Sequence, residues 1–305
     1  MAPIELTHEP LADGLYFGES PRYHDGKLYI SDMTGRTIYT IDPQSGHKEV
    51  LVEVEHQPNG MCFAEDGSLI YSSMFNAQLW KYKDGEHTLY ADMSDVMTGY
   101  CGDMVIDKSG TVYLDDTGAR VLHGEQPRPG KLLAIRANGS AEVAAENIIF
   151  PNGIFLTGDG KILYVAETFG YGLLKYDVDP NGSLSNRQQV WAVKDYVGEE
   201  RVGDTRQTMA GIDGGCMDAE GGMWLSLLSL EEWVRLSASG SITHRIKTNG
   251  HATACTLGGE DGKTLFLVTN TLPEGEHLFA AMVAKRTKGT VSTARVDVGH
   301  GDARP

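Results

Sequence analysis

Polar and apolar residues alternate along this chain in short runs, and glycine punctuates the runs. Six phrases share one form, a polar turn ending in Gly and then an apolar-rich stretch. They are HDGKLYIS (24–31), EDGSLIYS (65–72), KSGTVYLD (108–115), GDGKILYV (158–165), AEGGMWLS (219–226) and EDGKTLFL (260–267). A D-G or S-G step favours a tight turn because Gly accepts positive φ. The stretches that follow are heavy in Tyr, Leu, Ile, Val and Trp and predict strands. Each copy follows a short apolar segment, such as GMCFAE, DMVID, GIFLT or GGCMD. Several precede another, such as TIYTID, QLWKYK, KLLAIR, GLLKYDV and WVRLSA. Each unit is therefore three to four strands joined by hairpins, with a period of about forty to sixty residues. Six such units predict an all-β fold, a six-bladed β-propeller, since an ordinary sandwich has no reason to repeat one turn-strand phrase. Residues 1–305 then form a single propeller domain. No long helix-period segment competes, although 230–234 suits one helical turn.

The repeat allows the copies to be aligned with one another. Eight residues before the turn Gly lie Asn59 (from Gly67), Gly102 (from Gly110), Asn152 (from Gly160), Asp213 (from Gly221) and Ala254, beside Thr253 (from Gly262). Seven residues before Gly26 lies Glu19. These positions open the innermost strand of each blade, and innermost strands line the central channel. Their equivalent ends share one face, so they should ring one mouth of the channel. The ring holds the carboxylates of Glu19 and Asp213, the carboxamides of Asn59 and Asn152, and no Lys or Arg. A buried charge without a partner is costly, so converging oxygens without a basic partner imply a divalent cation, a central metal site. The competing reading is local, because Asp and Asn are turn formers and both Asn59 and Asn152 sit in P-N-G. Asn59 reads more as a turn residue and Asn152 more as a ligand. Glu is no turn former, so Glu19 reads as a ligand.

Composition sharpens this picture. The chain is 41% hydrophobic and 22% charged, which suits a folded protein with an ample core. Lys plus Arg number 26 against 42 Asp plus Glu, a net charge of −16. That excludes a basic face for nucleic acid and otherwise describes a solvated surface. The start, MAPIELTHEPLADG, lacks a basic segment followed by an apolar run, so no secretory signal is expected. No stretch is apolar for long enough to span a membrane. Cys62, Cys101, Cys216 and Cys255 are far apart in sequence and form no CxxC motif. They read as buried thiols in a reducing compartment, so a cytoplasmic location is expected.

The ring residues and their neighbours resemble the SMP-30/gluconolactonase/LRE-like, or regucalcin-like, family of six-bladed lactonases. Gly18-Glu19-Ser20-Pro21-Arg22-Tyr23 is similar to the family's G-E-[GS]-P-x-[WY]. Gly102-Asp103 followed by MVIDKSG resembles its N-D-x-x-x-D-x-x-G segment, with Gly102 where the family usually has Asn. Pro151-Asn152-Gly153 with GDGKILYVAET resembles its P-N-G segment. Ile212-Asp213-Gly214 with GCMDAEGGMW resembles its P-D-G segment, with Ile212 in place of Pro. TACTLGG (253–259) resembles its last-blade T-x-x-x-F-G-G. The segments run in order over nearly the whole chain.

The resemblance implies a metal triad of Glu19, Asn152 and Asp213 and a divalent cation. Oxygen donors suit Ca, Mg or Mn, and an open carboxylate site also accepts Zn or Fe(II). It implies a carboxylic-ester hydrolase that opens a small-molecule lactone with metal-activated water, Asp213 doubling as catalytic base. Asn59, Asp103, Arg120 and His251 are the substrate-binding candidates, with Tyr171 and Arg206 as further ones. Stretches 115–130 and 194–210 lengthen connections that in relatives help form a lid. The absence of Asn at 102 leaves more room beside the metal and weakens the expectation of a sugar lactone. Two alternatives stand beside the hydrolase. One is a metal-dependent propeller of other chemistry (isomerase, lyase or organophosphate hydrolase). The other is a non-catalytic metal-binding or interaction propeller, although a mere scaffold would not need the three ligands.

Overall fold

In the computed structural model, which describes residues 2–200, 202 and 211–304, each of the six glycine phrases closes a hairpin. Gly26, Gly67, Gly110, Gly160, Gly221 and Gly262 have φ between 70° and 85°, the conformation for which the repeat selects glycine. The strands make six sheets. The first blade is β3 (Gly18–His24), β4 (Lys27–Asp32), β5 (Thr37–Ile41) and β6 (Lys48–Glu53). The second is β7 (Pro58–Phe63), β8 (Leu69–Ser73), β9 (Gln78–Lys83) and β10 (Glu86–Asp92). The third is β11 (Met104–Ile106), β12 (Val112–Asp116), β13 (Gly130–Ile135) and β14 (Ala141–Ile148). The fourth is β15 (Pro151–Leu156), β16 (Ile162–Glu167), β17 (Gly172–Val178) and β18 (Leu184–Ala192). The fifth is β19 (Ile212–Met217), β20 (Met223–Leu227), β21 (Glu232–Leu236) and β22 (Ile242–Lys247). The sixth begins with β23 (His251–Gly258), β24 (Thr264–Thr271) and β25 (Lys288–Arg295). The fold is the six-bladed propeller that the repeat predicts.

The chain's own beginning closes the ring. β2 (Glu9–Leu15) pairs antiparallel with β25 as the outer strand of the sixth blade. β1 (Ile4–Leu6) runs parallel to β22 as a fifth strand of the fifth blade. The glycine punctuation does not reveal these two strands, because neither follows a turn phrase.

Each blade has a neighbour on both faces, so alternate residues of one strand enter different cores. Met104 and Ile106 pack with Ile70 and Leu79 of the second blade, while Val105 packs with Ile154 and Leu163 of the fourth. Likewise Cys216 and Trp224 face the sixth blade, and Met217 and Leu225 face the fourth. This is why the strands read as apolar runs rather than as clean alternation. The four cysteines are free and buried in these layers.

Short helices interrupt the strands, among them α1 (Lys194–Val197) and α2 (Leu278–Val283). No described helix is long and apolar enough to cross a membrane. At the channel face where the inner strands end, Arg304 bridges to Leu156 and its Nη1 donates to the Ile106 carbonyl at 2.7 Å. The opposite face, where the inner strands begin, carries the predicted ring.

Candidate active site at the channel mouth

Five of the six inner strands break register at their start. The breaks fall between Glu19 and Arg22, Pro58 and Met61, Pro151 and Ile154, Ile212 and Gly215, and Ala252 and Ala254. A bulge frees a residue from the ladder and re-aims its side chain. Glu19, at the edge of its break opposite Ser31, and the bulge residues Asn59, Asn152 and Asp213 line one cavity together with Gly102. Thr253, in the sixth bulge position, does not join them. It is fully buried, donates Oγ1 to the Val268 carbonyl at 3.2 Å and accepts Asn270 Nδ2 at 2.9 Å.

The third blade solves the same problem differently. β11 starts only at Met104, and the backbone before it is held by Asp115. Asp115 Oδ1 accepts from Gly102 N at 2.5 Å and Oδ2 from Asp103 N at 3.0 Å. A Cβ at position 102 would lie 2.9 Å from Asp115 Oδ2. The Asp115 carboxylate thus fills the space that a side chain at 102 would need, and it too lines the cavity. Reading only the first strand of each copy missed Asp115. The signal lay one strand further on: before the last residue of the second strand the copies read Ser31, Ser72, Asp115, Ala166, Ser226 and Asn270.

The ends of the second strands anchor the segments that lead into the ring. Asp32 accepts from the N–H groups of Tyr16 and Phe17 at 3.0 and 2.9 Å. Asp116 accepts from Thr98 and Gly99 at 2.8 and 2.7 Å. Asn270 clamps Gly18, accepting from its N–H and donating to its carbonyl, both at 2.9 Å. Glu19 is the next residue, so this clamp sets its position.

Electrostatics at the ring are uncompensated. Burial raises the Glu19 carboxyl well above its ordinary range, and the charges of Asp213 and Asp103 add to the effect. Burial and then Asp103 raise Asp213 to about 8, against hydrogen bonds from Asn152 and the Gly214 backbone. Burial also raises Asp115 well above the usual carboxylate range. Among the described residues, no Lys or Arg lines the cavity.

The other sequence candidates lie elsewhere. Asp103 Oδ1 is taken by Arg22 Nη2 at 2.6 Å, and Asp103 is not part of the cavity lining. Arg120 donates Nη2 to the Phe75 carbonyl at 3.2 Å and lies over the Tyr100 ring, behind the wall. His251 Nδ1 approaches the Leu228 carbonyl at 3.4 Å, tying β23 to the turn at Leu228–Leu230. Tyr171 packs in the core between the fourth and fifth blades. Arg206 lies outside the described residues, as does much of 194–210. Of 115–130, Asp115, Thr117, Val121 and Leu122 line the cavity, and α2 adds Leu278, Phe279 and Met282 from a connection the sequence reading passed over.

The donor set fits a hard divalent cation. Among the described residues, no three His, Cys, Asp or Glu converge closely enough to hold a metal by themselves. The convergence is of two carboxylates and the carboxamide of Asn152, all oxygen donors. A buried and a partly buried carboxylate without a cationic partner in the cavity are what such an ion would stabilise. Three such donors would leave room for water and substrate on a cation.

A family model described as the SMP-30/gluconolactonase/LRE-like region matches residues 17–271. Regucalcin of Gallus gallus is 22% identical over 265 residues, covering 85% of this chain and 84% of that protein. The 6-deoxy-6-sulfogluconolactonase of Pseudomonas putida is 26% identical over 263 residues, covering 83% of each. The structure of the calcium-binding protein regucalcin from Agrobacterium tumefaciens strain C58 superposes with a TM-score of 0.78 at 18% identity, covering 98% of each chain.

Proposed function

The chain belongs to the SMP-30/gluconolactonase/LRE-like family, and from that premise we propose that it is a metal-dependent lactone hydrolase. The observation that carries the proposal is the convergence of Glu19, Asp213 and Asn152 on one cavity with no basic partner among the described residues. Glu19, Asn152 and Asp213 would hold the cation. When bound, the cation supplies Lewis-acid polarisation of the lactone carbonyl and acidification of water. Hydrolysis forms a bond from water oxygen to the acyl carbon, breaks the acyl–oxygen bond of the ring and delivers a proton to the ring oxygen. Asp213 is assigned the proton transfer as a carboxylate of the cavity floor. Asn59 stands beside the ligands; its Oδ1 accepts from Ser20 Oγ at 3.3 Å and its amide nitrogen faces the sulfurs of Met33 and Met74. Its donations are to these weak sulfur acceptors, which a bound carbonyl or ring oxygen would replace.

The test is a pH-indicator assay over a panel of γ- and δ-lactones, with and without chelator. Chelator-sensitive hydrolysis of at least one lactone is expected. Hydrolysis of none, with cation present, sinks the proposal. Glu19→Gln is expected to lose activity while keeping its thermal unfolding transition.

A further inference from the structure

Above the carboxylate floor, the walls of the cavity are apolar. Phe17, Met33 and Met74 form one side, and Leu278, Phe279 and Met282 of α2 and its connection close over it. The few polar wall groups are already engaged within the protein. Tyr100 OH pairs with His123 Nδ1 at 2.6 Å. Thr117 Oγ1 accepts from Tyr100 N at 2.9 Å and donates to the Ala119 carbonyl at 3.1 Å. Thr168 Oγ1 donates to the Ile212 carbonyl at 2.8 Å.

A polyhydroxylated lactone brings several hydroxyls, each of which loses water on binding and needs a partner in the site. Such partners are missing from these walls. An anionic lactone needs a cation beyond the one at the ligands. Instead the floor adds a third buried carboxylate, Asp115, in the ring position where Gly102 has no side chain. We propose that the substrate is a neutral lactone carrying an apolar substituent, rather than a polyhydroxylated or anionic sugar lactone. The inference rests on the lactonase reading and names the substrate class of the same site. The ring ester meets the oxygen ligands and Asn59, and the substituent lies against the methionines and α2. Methionine side chains suit this role, being apolar and adaptable in shape.

The test is a homologous series from δ-valerolactone to δ-decalactone, with glucono-1,5-lactone beside it, on the manganese-loaded full chain. The expected result is a kcat/KM that rises about three- to fourfold per added methylene until the wall is filled. Glucono-1,5-lactone should fall at least about a hundredfold below δ-decalactone, a gap of the size an unmatched polar group produces. Met282→Gln keeps the shape of the wall and adds polarity, and it should flatten the series at least about twofold per methylene. A flat or falling series in the native chain, or faster glucono-1,5-lactone, overturns the proposal. If no lactone is hydrolysed, the hydrolase reading fails separately. Binding of uncleavable 6-alkyl δ-lactams, followed by calorimetry, then decides the class: affinity rising with chain length upholds it, and no rise overturns it.

Discussion

At the scale of single residues, the ring is a set of carboxyls held where they are reluctant to ionise. Asp213 is raised to about 8 and Glu19 is raised by the same burial. A carboxyl whose folded pKa lies above its unfolded value binds more protons when folded, so the metal-free protein loses stability as pH climbs from the ordinary carboxylate range toward about 8. A cation must displace those protons, so its affinity should rise through the same window and each binding event should release protons. Calorimetry of calcium binding at pH 6, 7 and 8, in buffers of different ionisation enthalpy, checks this. Proton release should be greatest at pH 6, and Asp213→Asn should reduce it. Asp115 yields a second prediction. Gly102→Ala places a Cβ 2.9 Å from Asp115 Oδ2 and should destabilise the fold. Asp115→Ser alone should cost about 2 kcal/mol, because two buried N–H groups lose their acceptor. In the double variant the Ala has room, so denaturant unfolding should show a coupling of about 1 kcal/mol. Glu19, Asn59, Asn152 and Asp213 were legible because the repeat fixes which positions open the inner strands. The partner of Asp103 was not legible, since Arg22 lies on another blade and sequence spacing carries no sign of that pair.

At the scale of elements, each blade positions its ring residue from the strand beside it. Asn270 is the penultimate residue of the sixth blade's second strand, yet it holds both backbone groups of Gly18 across the seam. Asn in a strand of β-branched and aromatic residues is a mark of such a role, since its side chain gives little to sheet packing. Asn270→Leu should strand a buried donor and a buried acceptor, at a cost of about 2–4 kcal/mol. Because Glu19 is displaced with Gly18, calcium affinity should fall as well. Denaturant unfolding and calorimetry read the two effects separately, and a stability loss with unchanged affinity would refute the positioning role. The strands themselves were readable, since turn glycines and apolar runs mark them directly. α2 was not, because six residues are too few to show a helical period. Its apolar residues, Leu278, Phe279 and Met282, stand in a polar connection, and their role as a wall appears only once the ring brings the cavity beneath them.

At the scale of the whole molecule, ring closure and site geometry are one problem. The outer strand of the last blade is β2, and only Tyr16 and Phe17 separate it from β3, which carries Glu19. β2 pairs with β25 from Glu9 opposite Thr293 to Leu15 opposite Gly289. Leu15 is 4% exposed and packs between the sixth and first blades. The strand that shuts the ring is therefore also the approach to the first ligand. Without it, β25 becomes an open edge, so the seam should open before any other blade boundary. Deleting residues 2–15 removes one buried leucine, worth about 2 kcal/mol, and several ladder hydrogen bonds of about 1 kcal/mol each. The deletion should lower stability by about 5 kcal/mol and weaken calcium binding, while the far blades keep their hydrogen-exchange protection longer than β3 and β25. A peptide of residues 2–15 supplied in trans should restore part of both properties, because the edge it pairs with is still present. Uniform loss of protection around the ring would mean that closure is not localised at this seam.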